Sequence, residues 1–313
     1  MNALHVGTSP NGTPRGHAFG GTRQHDATEF LIFMTEVLED ETNPNRAVIE
    51  PRRTQAQMDE EERQMLELPR FVAAQVAWKA EKRQYDSPIS RHMKGQFGYF
   101  KQCTQCGHET RTFTSFNQVE CVIPRDSAGR TPIRGRLDEW LRQEYGEEPD
   151  VVYANCDNCK AQQRPSWENL ARRSQVYMTY LPDYLVINIK KFDFFGDTRK
   201  IDTYVELPEG PFDLGDIFLP DAPHHPGKMG QPVLERGQAG PFKYEVIAVV
   251  HHIGASANQG HYWTVARHVD VAGISSTWHK FDDAQVTRAN FNQVQGKTAY
   301  VVVLRRTQTD DNL

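Results

Sequence analysis

The 313-residue chain lacks the sequence features of a membrane-spanning, secreted or nucleic-acid-binding protein. Its apolar runs all fall short of the roughly 20 residues that cross a bilayer. The first residues contain no apolar signal core, so a secretory signal is not expected. The net charge of -5 gives no basic excess for nucleic acid. The length and the 38% hydrophobic content predict one large globular domain or two of ordinary size. The expected location is intracellular, in the cytoplasm, the nucleus or both.

Cysteine is scarce, and its few residues are arranged in a pattern typical of metal binding. Four of the five form two C-x-x-C pairs: Cys103 with Cys106, and Cys156 with Cys159. In a reducing compartment such pairs favour metal over disulfides. The two-residue spacer lets one tight turn direct both sulfurs at one ion, and Gly107 can take a positive φ there. The pattern predicts a structural zinc bound by four thiolates, with free thiols as the alternative.

The order of predicted elements is helices first and strands later, which indicates an α+β architecture. Residues 1–23 read as a flexible tail. An amphipathic helix follows, with Asp26 as its cap and Glu29 as reciprocal partner. Residues 40–67 are either a solvated linker or an exposed helix face, and a second helix is predicted over 69–85. Strands dominate after Gly98, interrupted by a short helix in "RLDEWLRQEY" and by loops over 205–243.

Two strand-like segments near the C-terminus, "QGHYWTVARH" and "WHKFDD", carry a histidine and two acids. A histidine acting as general base needs an orienting partner on its second ring nitrogen. If the segments pair as an antiparallel hairpin, Asp282 returns to His261. Asp283 is an adjacent candidate, although strand alternation points the two acids to opposite faces. The residues alone do not choose between His261 and the nearby His251 and His252.

Taken together and in order, several motifs resemble one family, the ubiquitin-specific proteases, which are papain-like cysteine peptidases. The motifs are "QHDATEFL", the two C-x-x-C pairs, "YLVINIKKF", "YEVIAVVHHIG", "QGHYWTV", "WHKFDD" and "AYVVVL". The resemblance spans about 24–305. It implies a thumb, palm and fingers architecture: a partial thumb over 24–95, zinc-ribbon fingers over 96–180 and a palm over 181–308, with a short tail at 309–313.

The resemblance also implies roles for individual residues and a partner, ubiquitin. His261 matches the catalytic histidine and Asp282 the third catalytic residue. Gln24 and Asp26 match a box beside the cleft, where a carboxylate can meet the basic C-terminal tail of ubiquitin. Asp26 is at the same time expected to cap its helix. The implied reaction is thiol-dependent hydrolysis of the isopeptide bond at the ubiquitin C-terminus.

One feature of the family is missing, namely its nucleophile. The family carries it in a Gly-x-x-Asn-x-Gly-Asn-Thr-Cys box before the Gln-x-Asp box, and none of the 23 residues before Gln24 is a cysteine. The sequence therefore predicts a truncated or fragmentary deubiquitinase that is inactive alone. The alternatives are an inactive ubiquitin-binding pseudo-deubiquitinase and a zinc-ribbon scaffold unconnected with ubiquitin. Truncation would expose Phe30, Phe33 and Val37 on the first helix and make the chain poorly soluble.

Overall fold

The computed structural model describes residue 19 and residues 24–47, 54–129, 131–146, 149–164, 166–192, 200–220, 234–256, 259–269 and 276–307. The predicted tails lie outside the described residues, except for Phe19. The helices are α1 Ala27–Thr42, α2 Gln55–Glu67, α3 Arg70–Gln84, α4 Pro88–Met93, α5 Leu137–Glu144 and α6 Asp157–Ala161. The strands are β1 Gly95–Cys103, β2 Glu109–Phe116, β3 Val119–Cys121, β4 Gly135–Arg136, β5 Asp150–Ala154, β6 Leu170–Tyr180, β7 Tyr184–Ile189, β8 Val205–Glu206, β9 Phe212–Asp213, β10 Lys243–Ser256, β11 Gln259–Val269, β12 Ser276–Asp282, β13 Gln285–Ala289 and β14 Ala299–Arg306.

Helix α1 begins where the sequence predicts, because the Asp26 carboxylate accepts a hydrogen bond from the Thr28 backbone N–H at 2.6 Å. The predicted exposure of its apolar face is only partly correct. Phe30 is 39% exposed, whereas Val37 is buried at 5%. Phe33 is half-buried, and its ring centroid lies 4.9 Å from that of Phe19.

Within the segment 40–67, residues 55–67 form an exposed helix, one of the two alternatives that the sequence leaves open. Helix α2 buries none of its residues and begins with a capping box between Thr54 and Gln57. Glu60 and Arg63 form an ion pair along its surface at 2.7 Å. The predicted second helix is α3, which is held to the strands by Trp78, stacked on Tyr180 with a centroid distance of 4.0 Å.

Two larger sheets and one short parallel pair, β4 with β8, organise the rest of the described chain. The first has four antiparallel strands in the order β2-β1-β6-β5, and the second has eight strands in the order β13-β12-β11-β10-β14-β7-β3, with β9 paired to β10. Strand β7 pairs with β14 on one side and with β3 on the other. Leu185, Ile187 and Ile189 share one face as predicted, but Val186 on the other face is buried too. Both faces of the larger sheet are therefore covered at β7.

The predicted hairpin at the end of the larger sheet is present. Strands β11 and β12 are antiparallel, with Thr264 opposite Phe281 and Val269 opposite Ser276. A tight turn after Asp282 leads into β13. This register brings the first residues of β11 beside the last residue of β12. Every helix of the described residues is too short or too polar to cross a bilayer.

Candidate active site and zinc site

His261 and Asp282 form the candidate catalytic pair at the open end of the β11–β12 hairpin. The His261 Nε2 atom lies 2.5 Å from the Asp282 Oδ1 atom. Their side chains are 47% and 29% exposed, so the imidazole is accessible to solvent while its Nε2 atom contacts the acid. The neighbouring Lys280 hydrogen bond, followed by that of His261, lowers the pKa of the Asp282 carboxyl from its usual value. The acid is thus an anion that can orient the histidine.

The two other histidines of this region are buried, which resolves the choice that the sequence leaves open. His251 is 1% exposed and stacks on Trp263 with a centroid distance of 5.2 Å. Burial, and secondarily the charge of Lys280, lowers the pKa of His251 to about 4. His252 is 0% exposed, and burial likewise lowers its pKa. Both are neutral packing residues near neutral pH, and His261 is the solvent-accessible histidine of the three.

Asp283 does not behave as the sequence predicts. It occupies the turn after β12 with φ of 52°, a left-handed conformation outside the alternation of the strand. One of its carboxylate oxygens lies within 4.8 Å of the ligand atoms of both His261 and Asp282. The expectation that the two acids face opposite sides is therefore wrong, because alternation ends where the turn begins.

Gly260 fits tightly between β10 and β11 directly before His261. Its φ is 152°, and a Cβ atom there would lie 2.1 Å from the Ile253 carbonyl oxygen. A side chain is excluded by this close approach, which explains the glycine of the Gly-His-Tyr motif. The Gly260 N–H donates to the Gln24 Oε1 atom at 2.9 Å. Gln24 is thereby placed next to the candidate pair, as the resemblance implies.

Asp26 is buried, with 7% exposure, and each of its oxygens has a partner. Oδ1 caps α1 through Thr28, and Oδ2 accepts a hydrogen bond from the Tyr300 hydroxyl at 2.5 Å. The cap is predictable from sequence. The link to Tyr300 is not, because 274 residues separate the two partners. This contact ties α1 to β14, the neighbour of β10 in the larger sheet.

The four paired cysteines meet at one end of the smaller sheet. Cys103 and Cys159 lie 3.9 Å apart, and Cys106 and Cys156 3.7 Å apart, measured between sulfurs. A tetrahedral ion with Zn–S bonds of about 2.3 Å places its ligands about 3.8 Å apart. The distances are too long for a disulfide, whose sulfurs lie about 2.05 Å apart. The donor set and spacing therefore fit a zinc-ribbon site.

The surroundings of this cluster support a closed structural site. Gly107 takes φ of 72°, as predicted, and its N–H donates to the Cys103 carbonyl at 2.9 Å. Burial opposes ionisation of Cys106, but the hydrogen bond from Asn158 and others lower its pKa to about 6. Trp167 packs against the cluster, and its carbonyl accepts from the Cys156 N–H at 2.8 Å. The loops thus shield the thiolates and orient them.

None of the five cysteines of this chain is placed to serve His261 as a nucleophile. Four belong to the zinc-ribbon site in the other sheet. Cys121 is 0% exposed, and burial, with the charge of Glu144, raises its pKa to about 12. It lies on β3, four strand spacings from β11, which corresponds to about 19 Å. Cys121 is therefore an inert core residue, in agreement with the sequence prediction.

The structure is an α+β fold that carries an exposed histidine–aspartate pair and a separate four-cysteine site. A family model described as ubiquitin carboxyl-terminal hydrolase matches residues 14–303. The chain belongs to this family, and its resemblance to the ubiquitin-specific proteases is thereby confirmed.

Individual relatives agree with this assignment. The chain is 25% identical over 290 residues to ubiquitin carboxyl-terminal hydrolase 2 of Gallus gallus, covering 91% of this chain and 69% of the relative. It is 27% identical over 298 residues to ubiquitin carboxyl-terminal hydrolase 21 of Homo sapiens, covering 91% of this chain and 46% of the relative. The chain spans less than half the length of most of the curated relatives that it matches.

A solved structure shows the same fold. A chain of the SAGA Ubp8/Sgf11/Sus1/Sgf73 DUB module superposes with a TM-score of 0.57 at 18% sequence identity. The match covers 91% of this chain and 51% of that chain. The α+β architecture predicted from sequence is therefore confirmed for the matched region.

Proposed function

We propose that the chain is the catalytic-type domain of a deubiquitinase that hydrolyses the isopeptide bond after the C-terminal residue of ubiquitin. Family membership supports the reaction type, and one observation carries the assignment of residues. This is the 2.5 Å contact between His261 and Asp282, which engages the Nε2 atom of an exposed imidazole, so that Nδ1 is the nitrogen proposed to meet a thiol. The expected division of the chain is a partial thumb over 24–95, fingers over 96–180 and a palm over 181–308.

In this mechanism the cysteine thiol comes from a polypeptide segment outside these 313 residues. His261 accepts the thiol proton at Nδ1, and the thiolate attacks the carbonyl carbon of the isopeptide bond. The C–N bond breaks, the lysine amine leaves with the proton from His261, and a thioester remains. His261 then deprotonates water, which releases the ubiquitin carboxylate and restores the thiol. Asp282 holds the imidazole in position throughout.

The tail of ubiquitin is proposed to pass beside Gln24, whose amide oxygen is bound to the Gly260 N–H next to His261. Asp26 is proposed to contribute to the same surface. Since it is 7% exposed, its larger role is to hold α1 against Tyr300, so that Gln24 keeps its place. Ubiquitin and ubiquitinated proteins are the proposed partners.

The test uses the native protein isolated from its source, because this chain lacks an available thiol. Cleavage of di-ubiquitin is compared between the wild type and His261→Gln. We expect the variant to lose cleavage by at least about a thousandfold while still binding ubiquitin. A matched control is His268→Gln, which changes an exposed histidine on the same strand, and which is expected to keep full activity.

Two results would overturn the proposal. Equal cleavage by wild type and His261→Gln would remove His261 from the mechanism. Tight ubiquitin binding by a wild-type native protein without any cleavage would favour the inactive ubiquitin-binding alternative.

A further inference from the structure

The acid of the candidate pair has a second partner that the family motifs do not assign. Lys280 and Asp282 are two residues apart on β12, so their side chains lie on the same face of the sheet. The Lys280 Nζ atom lies 2.6 Å from the Asp282 Oδ2 atom. The other oxygen, Oδ1, contacts His261. Each carboxylate oxygen therefore has its own cationic or hydrogen-bonding partner.

Lys280 is itself held by a stack of rings on the same face. Its ammonium lies 5.2 Å from the centroid of the Trp263 ring. Trp263 stacks on the buried His251 with the ring planes 6° apart. The His251 Nδ1 atom lies 3.0 Å from the Thr298 hydroxyl. Lys280 is thus anchored to β11 and, through the stack, to β10, although its side chain is 31% exposed.

We propose that Lys280 is a positioning residue, whose ammonium fixes the orientation of the Asp282 carboxylate toward His261. The terminal torsion of an aspartate is broad, so a carboxylate held at one oxygen can swing. Held at both oxygens, it keeps Oδ1 directed at the imidazole. The proposal rests on the proposed function for its catalytic meaning, whereas the geometric role stands without it.

The charged groups around the acid are few within the described residues. His261 faces it from β11, Lys280 from its own strand, and Asp283 from the turn. Lys280 is the largest cause of the lowered pKa of Asp282, ahead of His261. Replacing Lys280 by an uncharged side chain of similar length must therefore raise the pKa of the Asp282 carboxyl.

The first test is a titration of Asp282 by carbon-13 NMR on the 313-residue chain, which needs no catalysis. Lys280→Met is expected to raise the titration midpoint of the Asp282 carboxyl by about half a pH unit or more. Lys280→Arg is expected to keep the midpoint within a few tenths of a unit. Arg288→Met is the control for the loss of one positive charge, because Arg288 is exposed and lies on the neighbouring strand β13. A midpoint unchanged in Lys280→Met would overturn the proposal and leave Lys280 as packing for Trp263.

The second test measures catalysis by the native protein. We expect Lys280→Met to lower kcat about threefold to tenfold with KM unchanged, and Lys280→Arg to recover most of the loss. A wild-type protein without hydrolysis would contradict the proposed function, while the NMR result would still decide whether Lys280 positions Asp282. An unchanged kcat in a Lys280→Met variant whose Asp282 midpoint has moved would refute the catalytic meaning of the contact.

Discussion

The zinc-ribbon site and the His261–Asp282 pair are both assembled from hairpins, but the first is closed to solvent and the second is open. Three of the four zinc cysteines are at most 1% exposed, whereas the side chains of His261 and Asp282 are 47% and 29% exposed. All four thiolates of the zinc site come from this chain, while the histidine has no thiol partner among the five cysteines. A closed site stabilises the fold that builds it. An open site is held by its surroundings and is available for a reaction partner.

The largest expected effect comes from breaking the closed site. Cys156→Ser removes one of four thiolates, and we expect loss of the zinc and a fall of about 10 °C or more in the melting temperature. Elemental analysis and thermal unfolding measure the two quantities. Cys121→Ala is the matched control, because Cys121 is equally buried but belongs to a different core cluster. Retention of the full melting temperature by zinc-free Cys156→Ser would show that the site is not structural.

The second expected effect concerns the buried His251, which lies on β10 beside the strand that carries His261. The pKa of His251 is about 4 in the fold, below its ordinary value of 6.5. Between these pH values the unfolded chain binds a proton that folded His251 does not, so the free energy of unfolding falls as pH falls. The expected loss is about 2–3 kcal/mol from pH 7 to pH 4.

Chemical denaturation across this pH range measures the loss from His251. His251→Gln should show a weaker pH dependence than the wild type, whereas His268→Gln, at an exposed position, should not. Identical curves for His251→Gln and the wild type would mean that His251 titrates normally.

A third effect, of similar size, concerns the link between α1 and the larger sheet. Asp26→Ala removes a helix cap and the acceptor of the Tyr300 hydroxyl. We expect a loss of about 2–3 kcal/mol in the free energy of unfolding. Tyr300→Phe removes one of the two contacts and should cost less. If both variants cost the same, the cap adds nothing and the account of Asp26 is wrong.

The smallest expected effect on stability comes from changing the exposed pair, His261 and Asp282. Asp282→Asn should leave the melting temperature unchanged, because an exposed contact stabilises a fold very little. Asp282→Ala, which leaves the imidazole without any acceptor, should in addition sharply reduce hydrolysis by the native protein. Melting curves and cleavage rates separate the two outcomes. A large loss of stability in Asp282→Asn would contradict the view that the zinc site stabilises the fold and the exposed pair does not.

Local and repeated patterns were predictable from this sequence. The helix at Asp26, the two C-x-x-C pairs and the β11–β12 hairpin all follow from spacing and residue type. The turn at Asp283 is not predictable in this way, because strand alternation does not indicate at which residue β12 ends. Lys280 could have been found, since a lysine two residues before an acid on a strand shares its face.

Long-range contacts were beyond sequence reasoning. The Tyr300 hydroxyl meets Asp26, and the Gly260 N–H meets Gln24, across more than 230 residues. Choosing His261 over His251 also required burial, which depends on how β10 sits within the sheet. Periodicity indicates which face of a strand is apolar, but not which strands lie beside it.

The most direct measurement treats the native protein with ubiquitin that carries a thiol-reactive group at its C-terminus, followed by peptide mapping of the adduct. The account predicts an adduct on a cysteine other than the five in this chain, abolished by His261→Gln. An adduct on Cys121 or on a cysteine of the zinc site, or binding of the probe without any adduct, would contradict it.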